Sequence, residues 1–176
     1  MEYLFLSERL GFRKWKDSDL DPFIKMNADP EVMKYFLSPL SSIKTLELLS
    51  RIKGHFKDYG YCLYAVDRLD QSSFIGFIGI MPDTMGINVS PCIEIGWRLD
   101  RKAWNKGFAT EGARRCIEYA FKELNISEIY SCTAMMNTNS ERVMQKAGMC
   151  FVKKFNHPRV PDGHILNEHV LYRIKQ

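Results

Sequence analysis

No run of apolar residues in this chain approaches the roughly 20 that a membrane-spanning helix requires. The opening MEYLFLSERL is too short and too soon charged for a signal peptide, so the expectation is a cytoplasmic protein with no membrane partner. Cysteine is sparse: Cys62, Cys92, Cys116, Cys132 and Cys150 stand singly, without a CxxC pair. That spacing fits free thiols in a reducing compartment, argues against a disulfide framework, and leads to the expectation of no metal. Charge of one sign is not in excess either. A formal net charge of +4 spread along the chain is too weak to argue for nucleic acid, though it is compatible with a small polyanionic ligand. Internal repeats, linkers and low-complexity segments are absent.

What is present describes one globular domain over residues 1–176, since 45% hydrophobic and 26% charged residues suffice for a core without staples. LGFRKW alternates as a first strand. Two helix starts follow, one capped by Ser18 with Asp21 and one with Pro30 behind Asp29. Ile43, Leu46, Leu49, Ile52 and Phe56 recur with helical spacing up to Gly60. The period then shortens: YCLYAVDR, SFIGFIGIM and PCIEIGWRL read as three neighbouring antiparallel strands. ATEGARRCIEYAFKEL is the clearest amphipathic helix, with Ala109, Ala113, Ile117, Ala120 and Leu124 inward and Glu111–Arg115 and Glu118–Lys122 as exposed pairs. A strand, SEIYSCTAMM, a short helix stopped by Gly148, and two closing strands, MCFVKKF and EHVLYRI, complete the chain. The closing strands could pair between subunits, which leaves a homodimer open.

The stretch RKAWNKGFATEG, residues 101 to 112, carries the chemistry. Gly107 lets successive amides converge, Ala109 adds no bulk, and a helix starting there aims free N–H groups and its positive dipole end at one spot, a geometry that selects phosphate. No Walker Gly-Lys-Ser/Thr and no GxGxxG spacing is present. Taken alone the signal is weak, because a glycine before a helix is usually just a turn.

In context, a strand ending EIGWRL, this basic glycine loop, an amphipathic helix, a strand and then NTNSERVMQKAGM resembles the GNAT superfamily of N-acetyltransferases, nearest the branch that includes ribosomal-protein N-terminal acetyltransferases. The pyrophosphate-loop spacing falls on Trp104, Gly107 and Ala109, and the second motif on Asn137, Ser140, Lys146, Gly148 and Met149. The resemblance implies an α/β (α+β) fold: a mixed, mostly antiparallel twisted sheet, helices on both faces, and fourth and fifth strands splayed apart at a bulge. It implies acetyl-CoA as cosubstrate in that gap, its pantetheine arm paired with main-chain groups of Ile95, Trp97 and Leu99. The diphosphate would lie on the amides of Lys106, Gly107, Phe108, Ala109 and Thr110, with Asn137 and Lys146 also at the cofactor. Trp104 stands where the family motif has Gln or Arg, so that side-chain contact is lost and Arg101, Lys102 or Lys106 would supply charge.

The implied reaction is acetyl transfer to a primary amine, either a protein N-terminus or a small molecule, and it needs that amine uncharged. At pH 7 about one lysine side chain in 2,500 is neutral, against about one α-amine in seven, so deprotonation costs about 4.6 and about 1 kcal/mol respectively. One carboxylate acting through water would serve an α-amine. Glu94, alternating with Ile93 and Ile95, is the candidate base, and its other reading is a solvent-facing ion pair. The family's usual tyrosine acid corresponds to Met144, which cannot donate; Ser140 is the substitute, though NTNS is also how a helix is capped. His55 reads as solvated, His157 as part of a loop overhanging the acceptor, His169 as packing and Glu168 as a possible aid to substrate binding. No cysteine has the neighbours of a nucleophile, so direct attack in a ternary complex is expected. The alternative class is a non-catalytic acyl-CoA-binding sensor or assembly module of the same fold.

Overall fold

The computed structural model describes residues 2–82 and 92–176, so Pro91, the first residue of the third expected strand, lies outside the described residues. Among the described residues eight strands form one sheet: β1 (Phe5–Leu6), β2 (Leu10–Arg13), β3 (Leu63–Arg68), β4 (Ser73–Pro82), β5 (Ile93–Leu99), β6 (Glu128–Ala134), β7 (Cys150–Asn156) and β8 (Glu168–Lys175). Their spatial order is β1-β2-β3-β4-β5-β6-β8-β7. Neighbours are antiparallel except β5 and β6, which run parallel. The described residues also form four α-helices, α1 (Leu20–Ala28), α2 (Ser42–Tyr59), α3 (Phe108–Glu123) and α4 (Thr138–Lys146), and short 3-10 turns at Asp17–Asp19 and Arg101–Ala103.

Both faces of the sheet are covered. On one, Phe23 of α1 meets Phe77 of β4 edge-on at 6.1 Å and Trp15 at 4.7 Å. On the other, α3 approaches so closely that a Cβ at Gly112 would fall 2.2 Å from Ile78 Cδ1, and Phe5 stacks between Phe12 and Tyr119 at 4.4 and 4.1 Å. Full burial of Leu10, Phe12, Tyr64, Ile78 and Ile80 makes this the principal core.

The first helix is placed by a buried ionic knot. Arg13 is 4% exposed and donates to both Asp19, at 2.6 and 2.8 Å, and Asp67, at 2.7 Å, so one guanidinium ties β2, β3 and the turn before α1 together. Burial opposes its charge, but the two carboxylates overcome that and raise its pKa.

Several local expectations are corrected. The cap before α1 uses Asp19, which accepts from the Lys16 amide at 2.8 Å, rather than Ser18 with Asp21. Asp29 does accept from the Glu31 amide at 2.9 Å, but only turns follow Pro30, and they run into a bend at Phe36, Leu37 and Ser38. The inward face of α2 is Thr45, Leu49, Ile52 and His55; Ile43 and Leu46 are exposed, and His55 is buried against Tyr59 at 4.4 Å rather than solvated. Burial lowers its pKa. On α3, Glu118 pairs with Lys122 as expected, but Glu111 turns away from Arg115 to a partner on the N-terminal hairpin.

Candidate active site

The site is built where β5 and β6 part. Their pairing is confined to Glu94 opposite Tyr130, followed by a hydroxyl bridge in which Ser131 Oγ donates to the Ile95 carbonyl at 2.9 Å. Beyond it no pairing between the two strands occurs among the described residues. The bulge expected here is absent from β5, whose register with β4 runs unbroken from Ile93 to Leu99; among the described residues register shifts lie between Val66 and Asp67 and between Phe151 and Lys153 instead.

Alternation along β5 decides what faces the gap. The Asp100 amide bonds to Ile75 of β4, whereas the Ile95 carbonyl meets Ser131 and the Leu99 carbonyl accepts from Trp104 Nε1 at 2.8 Å. Ile95, Trp97 and Leu99 therefore present their main-chain groups toward β6. Two of those carbonyls are already occupied, which singles out Trp97 as the residue with both groups turned to the opening.

At the open end lies the start of α3. Gly107 takes φ +80°, a left-handed conformation that suits glycine, and Asn105 precedes it at φ +58°. The first intrahelical bond runs from the Glu111 amide to the Gly107 carbonyl at 3.0 Å, so the amides of Phe108, Ala109 and Thr110 have no carbonyl one turn back, and Gly107 has no side chain to cap them. Phe108 is buried and anchors the turn. Lys106 folds its ammonium onto the Lys102 carbonyl at 2.7 Å, and Arg101 lies 3.6 Å from Asp29. An open groove of about 570 Å³ continues along α3, bordered by Arg9, Gly107, Thr110, Arg114 and Lys146.

Arg9 was not legible in the sequence as part of this loop. Its Nη1 donates to the Lys106 carbonyl at 3.0 Å, its Nε to Glu111 at 2.7 Å, and its guanidinium covers the Phe108 ring at 4.6 Å. Ser7 adds a bond to Glu111 at 2.7 Å. Burial alone would raise the Glu111 pKa, but the bonds from Ser7 and Arg9 outweigh it and lower the value.

Across the gap, Asn137 caps α4, accepting from the Ser140 amide at 3.3 Å while its Nδ2 donates to Thr133 Oγ1 and to Ser140 Oγ at 3.0 and 3.1 Å. The capping role thus belongs to Asn137, and Ser140 Oγ, already accepting, has its own proton to give. Met144 is fully buried in the core. Glu94 lies on the face of β5 shared with Arg98, whose cross-strand partner Phe77 packs under α1. His169 is buried near the end of β6, its ring 4.7 Å from His157 and its Nδ1 3.1 Å from the Asn167 carbonyl; burial lowers its pKa. Glu168 is exposed, its carbonyl accepting from Met135. Burial pushes the Cys116 thiol up to about 12 and raises Cys62 as well, which makes poor nucleophiles of both.

Among the described residues the sheet is mixed and opens at its one parallel pair, and a helix start with unbonded amides follows the strand that borders the opening. Comparison with known proteins identifies the class more closely: residues 9–150 match the model of the acetyltransferase (GNAT) domain. The chain belongs to this family and is an acetyl-CoA-dependent N-acetyltransferase. It is 29% identical over 157 residues to the uncharacterized protein YkkB of Bacillus subtilis (strain 168), covering 87% of this chain and 90% of that one. Among solved structures, a GNAT-family acetyltransferase from Bacillus anthracis superposes with TM-score 0.80 at 27% identity, covering 97% of this chain and 96% of that one. RimL, a ribosomal L7/L12 alpha-N-protein acetyltransferase in complex with coenzyme A, shares the fold at TM-score 0.78 and 14% identity, over 99% and 98% of the two chains. Among the described residues no helix is long and apolar enough to cross a membrane.

Proposed function

We propose that this domain, residues 1–176, moves the acetyl group of acetyl-CoA to a primary amine by direct attack within a ternary complex, in the cytoplasm. The observation that carries the reading is the alignment of two unfilled sets of main-chain groups: Trp97 facing the gap, and the amides of Phe108, Ala109 and Thr110 at its mouth. The first suits the amide-bearing pantetheine arm, with Ile95 and Leu99 contributing their remaining groups. The second suits a diphosphate, with the Lys106 and Gly107 amides completing the cradle and the groove toward Lys146 receiving the nucleotide end. Acetyl-CoA supplies the activated acyl group when bound. Asn137 would orient the cofactor where β6 ends, and its bond to Ser140 Oγ aims that hydroxyl's proton outward.

In the transfer, the amine nitrogen bonds to the acyl carbon as the carbon–sulfur bond breaks. Glu94, through water, takes the proton the amine sheds and returns it to solvent, while Ser140 supplies one to the departing sulfur and regains it from water. An α-amine demands least of such a base, which is why N-terminal peptides belong beside small amines in any acceptor screen. The deciding experiment follows thiol release from acetyl-CoA with that panel for wild type, Glu94→Gln and Ser140→Ala. Release that falls at least about a hundredfold in Glu94→Gln with unchanged coenzyme affinity supports Glu94 as the base, and a smaller fall in Ser140→Ala supports the serine as proton donor. Coenzyme binding with no release for any amine would return the non-catalytic module.

A further inference from the structure

The acceptor face of β5 carries three side-chain positions in a row: Glu94, Gly96 and Arg98. Gly96 leaves a space, since a Cβ built there would meet only Leu63 Cδ2, at 3.9 Å, among the described residues. Four residues of strand set the flanking α-carbons about 13 Å apart. Between a carboxylate and a guanidinium this face therefore has room for at least one further carbon at Gly96.

Arg98 is provided for unusually. Its Nη1 donates to Asn27 Oδ1 at 2.6 Å, and Asn27, fully buried, is held in turn by Thr45. Phe36 and Phe77 flank the guanidinium at 4.4 and 5.4 Å. No carboxylate pairs with it among the described residues, and its Nε is buried with no acceptor. The contrast with Arg13 is direct: there two aspartates neutralise one buried guanidinium, whereas here the charge is desolvated, to the extent that burial pushes its pKa down to about 10, with one neutral amide for company. A structural arginine would gain nothing from lacking a counter-ion, because a buried unpaired charge is costly. The residue keeps partial exposure, and Phe36 above it is 46% exposed, so the guanidinium lies beneath an accessible rim, not within a sealed core.

We propose that Arg98 binds a carboxylate of the acceptor, making the acceptor an amine that carries its own carboxylate: an amino acid, or a peptide with an acidic group near its N-terminus. This rests on the transferase reading above and names the substrate class for the same site. Arg98 holds the anionic end over Gly96 while the amine turns toward Glu94. The planar fork of donors suits a carboxylate, the Asn27 bond fixes its plane, and the uncompensated positive charge works against polyamines, which would bring further cations to the same floor.

The test compares matched acceptors: a free amino acid and its C-terminal amide, an N-terminal peptide beginning with an acidic residue and its amide-side-chain counterpart, and spermidine. With wild type, each carboxylate form is expected to exceed its amide at least about tenfold in kcat/KM, chiefly through KM, with spermidine poorest. Arg98→Gln should abolish the preference and Arg98→Lys retain part of it, both binding coenzyme A as wild type does, which controls for folding. Whichever carboxylate form is preferred separates amino acid from peptide. Equal rates for acid and amide in wild type, or a preference that survives Arg98→Gln, would overturn the proposal. Calorimetry with the same pairs in the presence of coenzyme A keeps the two readings apart. Acid bound over amide without turnover sinks the transfer mechanism and leaves Arg98's role standing; turnover of amides and acids alike does the reverse; an absence of both binding and turnover removes both.

Discussion

Arg9 Nε lies 2.7 Å from Glu111 Oε2, joining the N-terminal hairpin to the first turn of the helix that opens the site. The pair does more than close an ion bridge. Through its bond to the Lys106 carbonyl the same arginine holds the residue before Gly107, so the backbone whose amides face the ligand is fixed from outside by a side chain 97 positions away in the chain.

Arg9→Ala should therefore weaken coenzyme A binding about tenfold in calorimetry while the fold persists, because the loop loses its brace as well as a nearby positive charge. A Kd within twofold of wild type would show that Gly107 and Phe108 fix the loop unaided.

Glu111 gives this pair a pH signature. Its pKa is lowered in the folded chain, so the unfolded carboxylate takes up a proton first as pH falls. The stabilisation is complete above the ordinary carboxylate range near pH 4.3 and is lost progressively as pH drops through the folded value. Urea melts of wild type and Glu111→Gln should differ most at neutral pH and converge in the acid range. A constant difference across that window would show that the charge on Glu111 is irrelevant.

Gly107 offers a backbone test. At φ +80° an alanine pays about 1–2 kcal/mol, and its Cβ would stand 3.4 Å from Arg9 Nη2. Gly107→Ala should lower stability by that amount and reduce coenzyme affinity further, whereas Gly107→Asn, whose side chain tolerates this conformation as Asn105 does next door, should be milder on both counts. Equal effects of the two variants would point to lost space, not backbone conformation.

The order of elements was legible because each strand and helix of the second half carries its own period, from IEIGWRL through the α3 stripe to the Asn137 cap. The glycine loop was legible for the same reason, since its signal is local. What the sequence hides depends on partners distant along the chain. Arg98 and Asn27 are 71 positions apart and Arg9 and Glu111 are 102 apart, and periodicity reports which side of an element is apolar without saying which charge waits opposite. His55 illustrates the limit: on α2 its polarity suggests the outer face, yet the helix turns Thr45, Leu49, Ile52 and His55 inward and leaves Ile43 and Leu46 at the surface. An apolar rim near the acceptor face and a stripe of core residues look alike in a sequence.

The knot at Arg13 should dominate the stability of the acceptor half. Removing Asp67 leaves the buried Arg13–Asp19 pair charge-balanced but takes the acceptors from Arg13 Nε and Nη2, donors that water does not reach, and Asp67→Asn keeps the volume and one acceptor. Asp67→Ala is expected to cost about 3–5 kcal/mol in denaturant unfolding, and Asp67→Asn less, because the amide still accepts a hydrogen bond. Both should act on the placement of α1, and with it Asn27 and Arg98, before they act on the amide cradle across the sheet. The expected pattern is a raised acceptor KM with nearly unchanged coenzyme affinity, and equal loss at both sites would show that the two halves of the domain do not respond independently.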